Sequence, residues 1–499
     1  MSGVMQGIHG GAPPAGGATP GRLAGLPPGY RHILPHGPDL ADERHPAERL
    51  AKLATRISVE PQRENPDIPS GYTYFLQFVT HDCVFTDIPF WAAEAAGEPP
   101  GNERLRALNL DTLHGGGPAS CPHAYVPARD RARMRVGCLA TGAARDVPRI
   151  APEPGAPLTD TLLADPRNDD NALLGQVTVL FHIAHNVVVG LEGGFFAPAR
   201  ARLRALYRRL IREDLMPRLL QADVLAFYQG GGAPLSDPHT EEVPLEASHG
   251  VFRVAHAMVR ETYNVNAPPP AEGLPLAESL RHSSARYPKL LPMPETWVAR
   301  WSNFFDGLGG TAQRAMRFAP CYAPPLQTGS FFPAVDGTHR TGLHYRDMLS
   351  AEAAALWPLE ELIADMTGHH FPPGDPRTAA LNAGPLGTPA ARRQAMLDWL
   401  LNDGKPGGME AEDAASIAAD PPMPFWLMLE GMIAGQGRRL GPLGSIILAE
   451  AFYPNLNAAA EADEAALAAS PLNAIHDMAG LIQFLAAQPG LQGATPPFI

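Results

Sequence analysis

Cysteine is scarce in this chain. Its 499 residues hold 4, at Cys83, Cys121, Cys138 and Cys321, and no two form a CxxC pair. A zinc ribbon and a disulfide framework are therefore both unsupported, and the thiols read as buried and free. Charge is thin too, at 18% of residues with a net balance of −13. No Lys/Arg-rich run stands out, which argues against a nucleic-acid binder. The apolar runs read as too short to span a bilayer. The opening residues, MSGVMQGIHGGAPPAGG, lack a basic start followed by an apolar stretch. With no secretory signal in view, a soluble cytoplasmic protein is expected, with a non-classical export route as the alternative.

What is present points to a large helical body. Hydrophobic residues make up 45% of the chain, enough to bury a sizeable interior. Residues 1–45 are rich in Gly and Pro, a tail expected to be mobile at its start and extended where it meets the body. Residues 46–499 then form one domain. Leu173, Val177, Leu180, Ala184 and Val187 follow helical spacing. Further helices are expected at 68–92, 197–228, 245–262, 345–367, 389–402, 424–434, 444–452 and 471–487. Residues 98–160 and 266–297 read as irregular. Alternating strand patterns are few, so the expected class is mainly α, a single large helical domain with long loops and little β.

The segment Gln77-Phe78-Val79-Thr80-His81-Asp82 lies between Tyr74-Phe75-Leu76 and Val84-Phe85. An imidazole and a carboxylate buried there each need a partner. Neighbouring side chains on a helix point about 100° apart, so His81 and Asp82 serve different places. Gln77 is one turn before His81 and shares its face. The pattern fits a catalytic base beside a separate cation site.

Three more segments complete a set: Asp165-Pro166-Arg167-Asn168-Asp169-Asp170, Phe252-Arg253-Val254-Ala255-His256, and Pro424-Phe425-Trp426 with the run from Gly435 to Gly444. In order and spacing, residues 60–455 resemble the animal-type haem peroxidases (the peroxidase–cyclooxygenase superfamily), in particular their bacterial members. The resemblance implies that His256 is the proximal ligand of a haem iron. Arg253, three residues earlier, would reach a haem propionate. His81 would be the distal base, moving a proton from peroxide to the departing oxygen. Arg167 would stabilise charge as the O–O bond breaks and keep His81 neutral. Gln77 would hold pocket water or a halide. Asp82 would bind calcium, with Asn109, Asp111 and the Ala107 carbonyl as further oxygen ligands. Leu105 stands where a hydroxyl ligand is usual, which weakens that site.

The implied activity is reduction of hydrogen peroxide with oxidation of small organic or halide donors through a ferryl intermediate, in keeping with a response to oxidative stress. The chain departs from the family at three places. Thr80 replaces an acid that forms an ester to haem. Asp170 replaces a glutamate that forms the second ester, and Asn171 excludes a sulfonium link. Haem b, mostly non-covalent, is the expected cofactor. In Thr341-Gly342-Leu343-His344-Tyr345-Arg346-Asp347, the asparagine that accepts the proximal N–H falls on Gly342, which offers no side-chain acceptor. A carbonyl, water or neighbouring side chain must replace it.

Two other readings compete. A fatty-acid dioxygenase of the same superfamily needs a tyrosine three residues before the proximal histidine, where Arg253 stands. A degenerate haem-binding protein is the other. His182-x-x-His185 and His369-His370 could conceivably bind a metal, but HxxH is not HExxH and no glutamate base sits between the histidines, so a metal is not expected there. Gly115-Gly116-Gly117-Pro118 reads as a turn, and the run from Gly435 to Gly444 as a tight corner between helices.

Overall fold

Helix α2, Gly71–Cys83, buries every residue except Gln77. A helix that is apolar nearly all round has to lie inside the protein. The computed structural model describes residues 25–39, 45–127, 131–151, 159–267, 273–284, 290–494 and 497–499. Helix α1, Ala47–Ser58, precedes α2. The stretch 68–92 was expected to be helical throughout, but α2 stops at Cys83 because Val84 turns extended. A distant asparagine drives the stop. Asn102 accepts the Phe85 N–H at 2.8 Å and donates to the Cys83 carbonyl at 3.1 Å, offering the backbone an alternative to the helix.

Helix α3, Ala172–Leu191, is capped by Asn171, whose side chain accepts the Leu174 N–H at 2.9 Å. Its 20 residues, with a mean hydropathy of 1.6 in the most apolar window, are long and apolar enough to cross a membrane. That corrects the expectation that no apolar run is so long. In this fold the helix is internal, with 83% of its most apolar window buried. Phe181 on α3 stacks on Phe78 of α2 with ring centres 4.9 Å apart. Helix α4, Phe196–Leu210, packs alongside and continues through a π-helical turn, Ile211–Leu215.

Helices α5 (Leu343–Ala353), α6 (Pro389–Leu401), α7 (Met423–Ile433), α8 (Pro442–Ala468) and α9 (Met478–Ala486) complete the main set. The expected end of α8 at residue 452 is wrong, because the helix passes through the buried Pro454. A proline costs one hydrogen bond there. The alanine-rich stretch beyond it has high helix propensity, and Leu456 and Leu467 are buried.

Helix accounts for 52% of the chain and strand for 6%, so the class is mainly α. The strands are short pairs. Strand β1, Tyr30–Arg31, runs parallel to β3, Val243–Pro244, and β2, Glu64–Pro69, runs antiparallel to β4, Arg314–Met316. β1 belongs to the expected tail. Tyr30, Ile33 and Leu34 are buried, so this strap is part of the body. The rest of the tail up to residue 24, and residues 40–44, lie outside the described residues. The loop expected at 266–297 contains a short helix, Leu276–Arg281.

The expected helix 245–262 is three pieces: a π-helical turn Glu246–Val251, a short α stretch Phe252–Val254 and a 3-10 turn Ala255–Met258. Wide turns of this kind are rare and re-aim the side chains that follow. Here they set the direction of Arg253 and His256.

Candidate functional site

Two separate pieces of chain face each other across a pocket. Gln77, Thr80 and His81 line it from α2; Phe252, Arg253 and His256 line it from the other side. The sequence placed those histidines in one site, and the fold brings both rings to one space.

The hydrogen bonds behind each ring define its tautomer. His81 Nδ1 lies 2.9 Å from Asn168 Oδ1. The Asn168 amide nitrogen donates to the Thr112 carbonyl at 3.2 Å, and a carbonyl can only accept. Asn168 therefore presents oxygen to His81, Nδ1 carries the proton, and Nε2 carries the lone pair. Burial, reinforced by the Arg167 charge, lowers the His81 pKa to about 3. The ring stays neutral over the ordinary pH range.

Behind His256 stands a carboxylate. Asp347 Oδ2 accepts from His256 Nδ1 at 2.7 Å and from the Tyr322 hydroxyl at 2.9 Å. Arg253 lies 3.6 Å from the other Asp347 oxygen. The acceptor missing at Gly342 is thus supplied by Asp347, five residues further along. Gly342 has another task. It caps α5 at a φ of 107°, and a Cβ there would come within 2.4 Å of the His344 ring. The turn that starts α5 requires glycine, and α5 carries Asp347.

Among the described residues, Arg167 and Asp170 do not line this cavity. The Arg167 guanidinium grips Asp165 through Nε at 2.9 Å and Nη2 at 2.6 Å. It also donates to the carbonyls of His81 and Val84 and lies over the Phe85 ring. Burial alone would raise the Asp165 carboxyl, but Arg167 and Arg104 outweigh it and hold the group well below the usual range. Arg167 thus braces the end of α2 from behind. Thr80 lines the cavity and donates to the Gln77 carbonyl at 2.9 Å. Asp170 is half-buried beside the buried Asp169, which binds Arg149 at 2.6 and 2.7 Å.

The expected calcium loop does not fit that ion. Asp82 accepts the N–H groups of Leu110 at 2.8 Å and Thr112 at 2.9 Å, one on each oxygen. Burial lifts its pKa to about 6, with those two N–H groups pulling the other way. The Ala107 carbonyl and Asn109 Oδ1 both accept from Arg208, at 2.9 and 3.1 Å, as does the Leu108 carbonyl at 3.1 Å. Arg208 is 8% exposed and pairs with Asp463 at 3.3 Å. Asp111 turns to Arg200 at 2.7 Å. A guanidinium already sits among the oxygens that a calcium ion would need.

Asn168, Asp347, Tyr322 and Arg208 were not anticipated as partners. Asp347 and Asn168 stand in segments that were singled out, but their partners are 91 and 87 residues away, and no local pattern links them. His182 Nδ1 donates to the Arg135 carbonyl at 2.7 Å, and His185 Nε2 donates to the Ala132 carbonyl at 2.8 Å. Both are packing residues. In the Gly435–Gly444 run, a Cβ on Gly441 would come within 2.2 Å of Glu430, which accepts the Leu443 and Gly444 N–H groups at the start of α8.

No family model matches the chain, and no curated protein does either. Solved structures do. Peroxidase A from Dictyostelium discoideum superimposes with a TM-score of 0.54 at 12% identity, covering 98% of this chain and 99% of its own. The chain shares the fold of this peroxidase. The fatty acid alpha-dioxygenase of Arabidopsis thaliana gives a TM-score of 0.56 at 11% identity, over 87% of this chain and 74% of its own. The Oryza sativa fatty acid alpha-dioxygenase gives 0.50 at 13% identity, over 89% and 77%. The fold of this chain is therefore shared with a peroxidase and with two fatty acid alpha-dioxygenases.

Proposed function

We propose that the chain is a haem-dependent peroxidase, reducing hydrogen peroxide and oxidising small organic or halide donors. The observation that carries this reading is the pair of imidazoles lining one cavity, each with Nδ1 engaged from behind. His256 would ligate the iron of haem b. Arg253 borders this pocket and a second, adjoining one, where Arg346 also lines the wall. Two guanidinium groups beside one space suit the carboxylates of a propionate edge. Phe252, Val84 and Val259 supply apolar wall for a macrocycle.

When bound, the haem supplies the iron that takes up the oxidising power of peroxide. His81 Nε2 accepts a proton from one peroxide oxygen and returns it to the other, which leaves as water. Asn168 holds the ring in the tautomer that this transfer needs. Arg167 keeps the ring neutral and fixes the end of its helix. Asp347 orients His256 and makes it a stronger ligand. Gln77 shares the cavity with His81 and is placed to hold water. Thr80 and the position of Asp170 support non-covalent attachment. No step is assigned to calcium.

The dioxygenase reading is favoured by two fold neighbours, but Arg253 occupies the place of the expected radical tyrosine. Among the described residues no tyrosine lines the cavity. The deciding experiment is an absorption spectrum of the haem-loaded protein before and after stoichiometric peroxide, followed by turnover of guaiacol or bromide. A peroxide-induced spectral change with donor oxidation is expected. Oxygen uptake with a polyunsaturated fatty acid, without donor oxidation, would overturn the assignment in favour of the dioxygenase. Haem binding with neither activity would leave a haem-binding protein.

A further inference from the structure

The adjacent histidines His369 and His370 showed no metal-binding spacing in the sequence, but the fold gives them two partners. The helix Leu359–Asp365 ends in a π-helical turn, Met366–His370. The wider turn brings residues four and five positions after Asp365 against the same carboxylate. His369 Nδ1 lies 2.7 Å from Asp365 Oδ1, and His370 Nε2 lies 3.1 Å from Oδ2. The N-terminal strap then delivers a third imidazole, with His36 Nε2 3.5 Å from the same Oδ2. Trp357 sets that ring from one side, edge-on at 5.3 Å.

We propose that His36, Asp365 and His370 form a binding site for a divalent transition metal ion of the zinc type. Their ligand atoms lie within 4.8 Å of one another. Ligands about 2.0–2.1 Å from a tetrahedral ion are about 3.3 Å apart, and the two nitrogen–Oδ2 distances of 3.1 and 3.5 Å bracket that value. His369 donates to the oxygen that faces away, which fixes the carboxylate and leaves Oδ2 for the ion. Two imidazoles and one carboxylate suit zinc, copper or nickel rather than calcium or magnesium. At a surface, with His36 56% exposed, the fourth position goes to water.

The ion would join two parts of the chain far apart in sequence. His36 follows Tyr30, whose hydroxyl lies 2.6 Å from the Thr86 hydroxyl, and Thr86 lines the second cavity. A metal at His36 therefore pins the strap that closes that side of the body.

The test is a calorimetric titration of the untagged, haem-loaded, full-length protein with zinc chloride. One equivalent of zinc is expected, with a higher melting temperature. His36→Ala, His370→Ala and Asp365→Asn should each weaken binding by about tenfold to a hundredfold, and His369→Ala by less. These side chains are at the surface, so the variants should melt as the parent does without zinc; any that do not are judged by zinc binding at a temperature where they are folded. Absence of zinc binding at about a hundred micromolar, or binding and stabilisation unchanged in a His36→Ala/His370→Ala double variant, would overturn the proposal.

Discussion

His81 and His256 are the same ring facing the same cavity, but what stands behind them differs. His256 leans on the Asp347 carboxylate, itself joined to Tyr322 and Arg253. His81 leans on the neutral amide of Asn168, with the Arg167 cation close by. A carboxylate draws the Nδ1 proton toward itself and enriches Nε2, which favours metal ligation. An amide cannot do this, and a nearby cation opposes protonation. In the proposed reading the acceptor, more than the histidine, sets which ring would bind iron and which would move protons.

The contrast can be tested in descending order of effect. His256→Ala should abolish the haem spectrum, read as loss of the Soret band; a parental spectrum would remove the ligand assignment. His81→Leu should keep the haem while slowing the peroxide reaction about a thousandfold in stopped flow. A rate near the parent's would mean that the second ring is no base. Asp347→Asn should weaken haem retention about tenfold and raise the iron's reduction potential, and an unchanged potential would erase the contrast between the acceptors.

The pH response follows from the lowered pKa of His81. The base is the neutral form, so activity is present above the folded pKa and is lost as pH falls through it. Between pH 8 and about pH 4 the peroxide rate constant should stay flat as far as His81 is concerned, declining only toward about 3. A midpoint near 6.5 would show that burial and Arg167 do not act on this ring as described. The smallest expected effect is none: a calcium chelator should leave the melting temperature unchanged, whereas Arg208→Met should lower it.

The residues that line the cavity were legible because each sits in a short, dense motif. His81 and Gln77 share a helical face, and Arg253 precedes His256 by three. What stands behind the rings was not legible. Asp347 stands in the Thr341–Asp347 segment, but its link to His256 depends on how α5 is placed, and Gly342, in sequence a lost acceptor, is the cap that starts α5. The same holds for the fold. The all-buried α2 was visible in its composition, but its early end depends on Asn102. The π-helical turns at 246–251 and 366–370 left no mark in the periodicity. The helix expected to end at 452 runs on through Pro454 into the alanines after it.

Where the sequence led to the expectation of a soluble ion, Arg208 supplies a positive charge from a side chain made on the ribosome. An exchangeable cation has a concentration, and a loop that needs one loses stability when the supply runs low. A tethered guanidinium has no off-rate and cannot be titrated away. The 107–112 turn, and through Asp82 the base of the helix bearing His81, can therefore close while free calcium in the surroundings rises or falls.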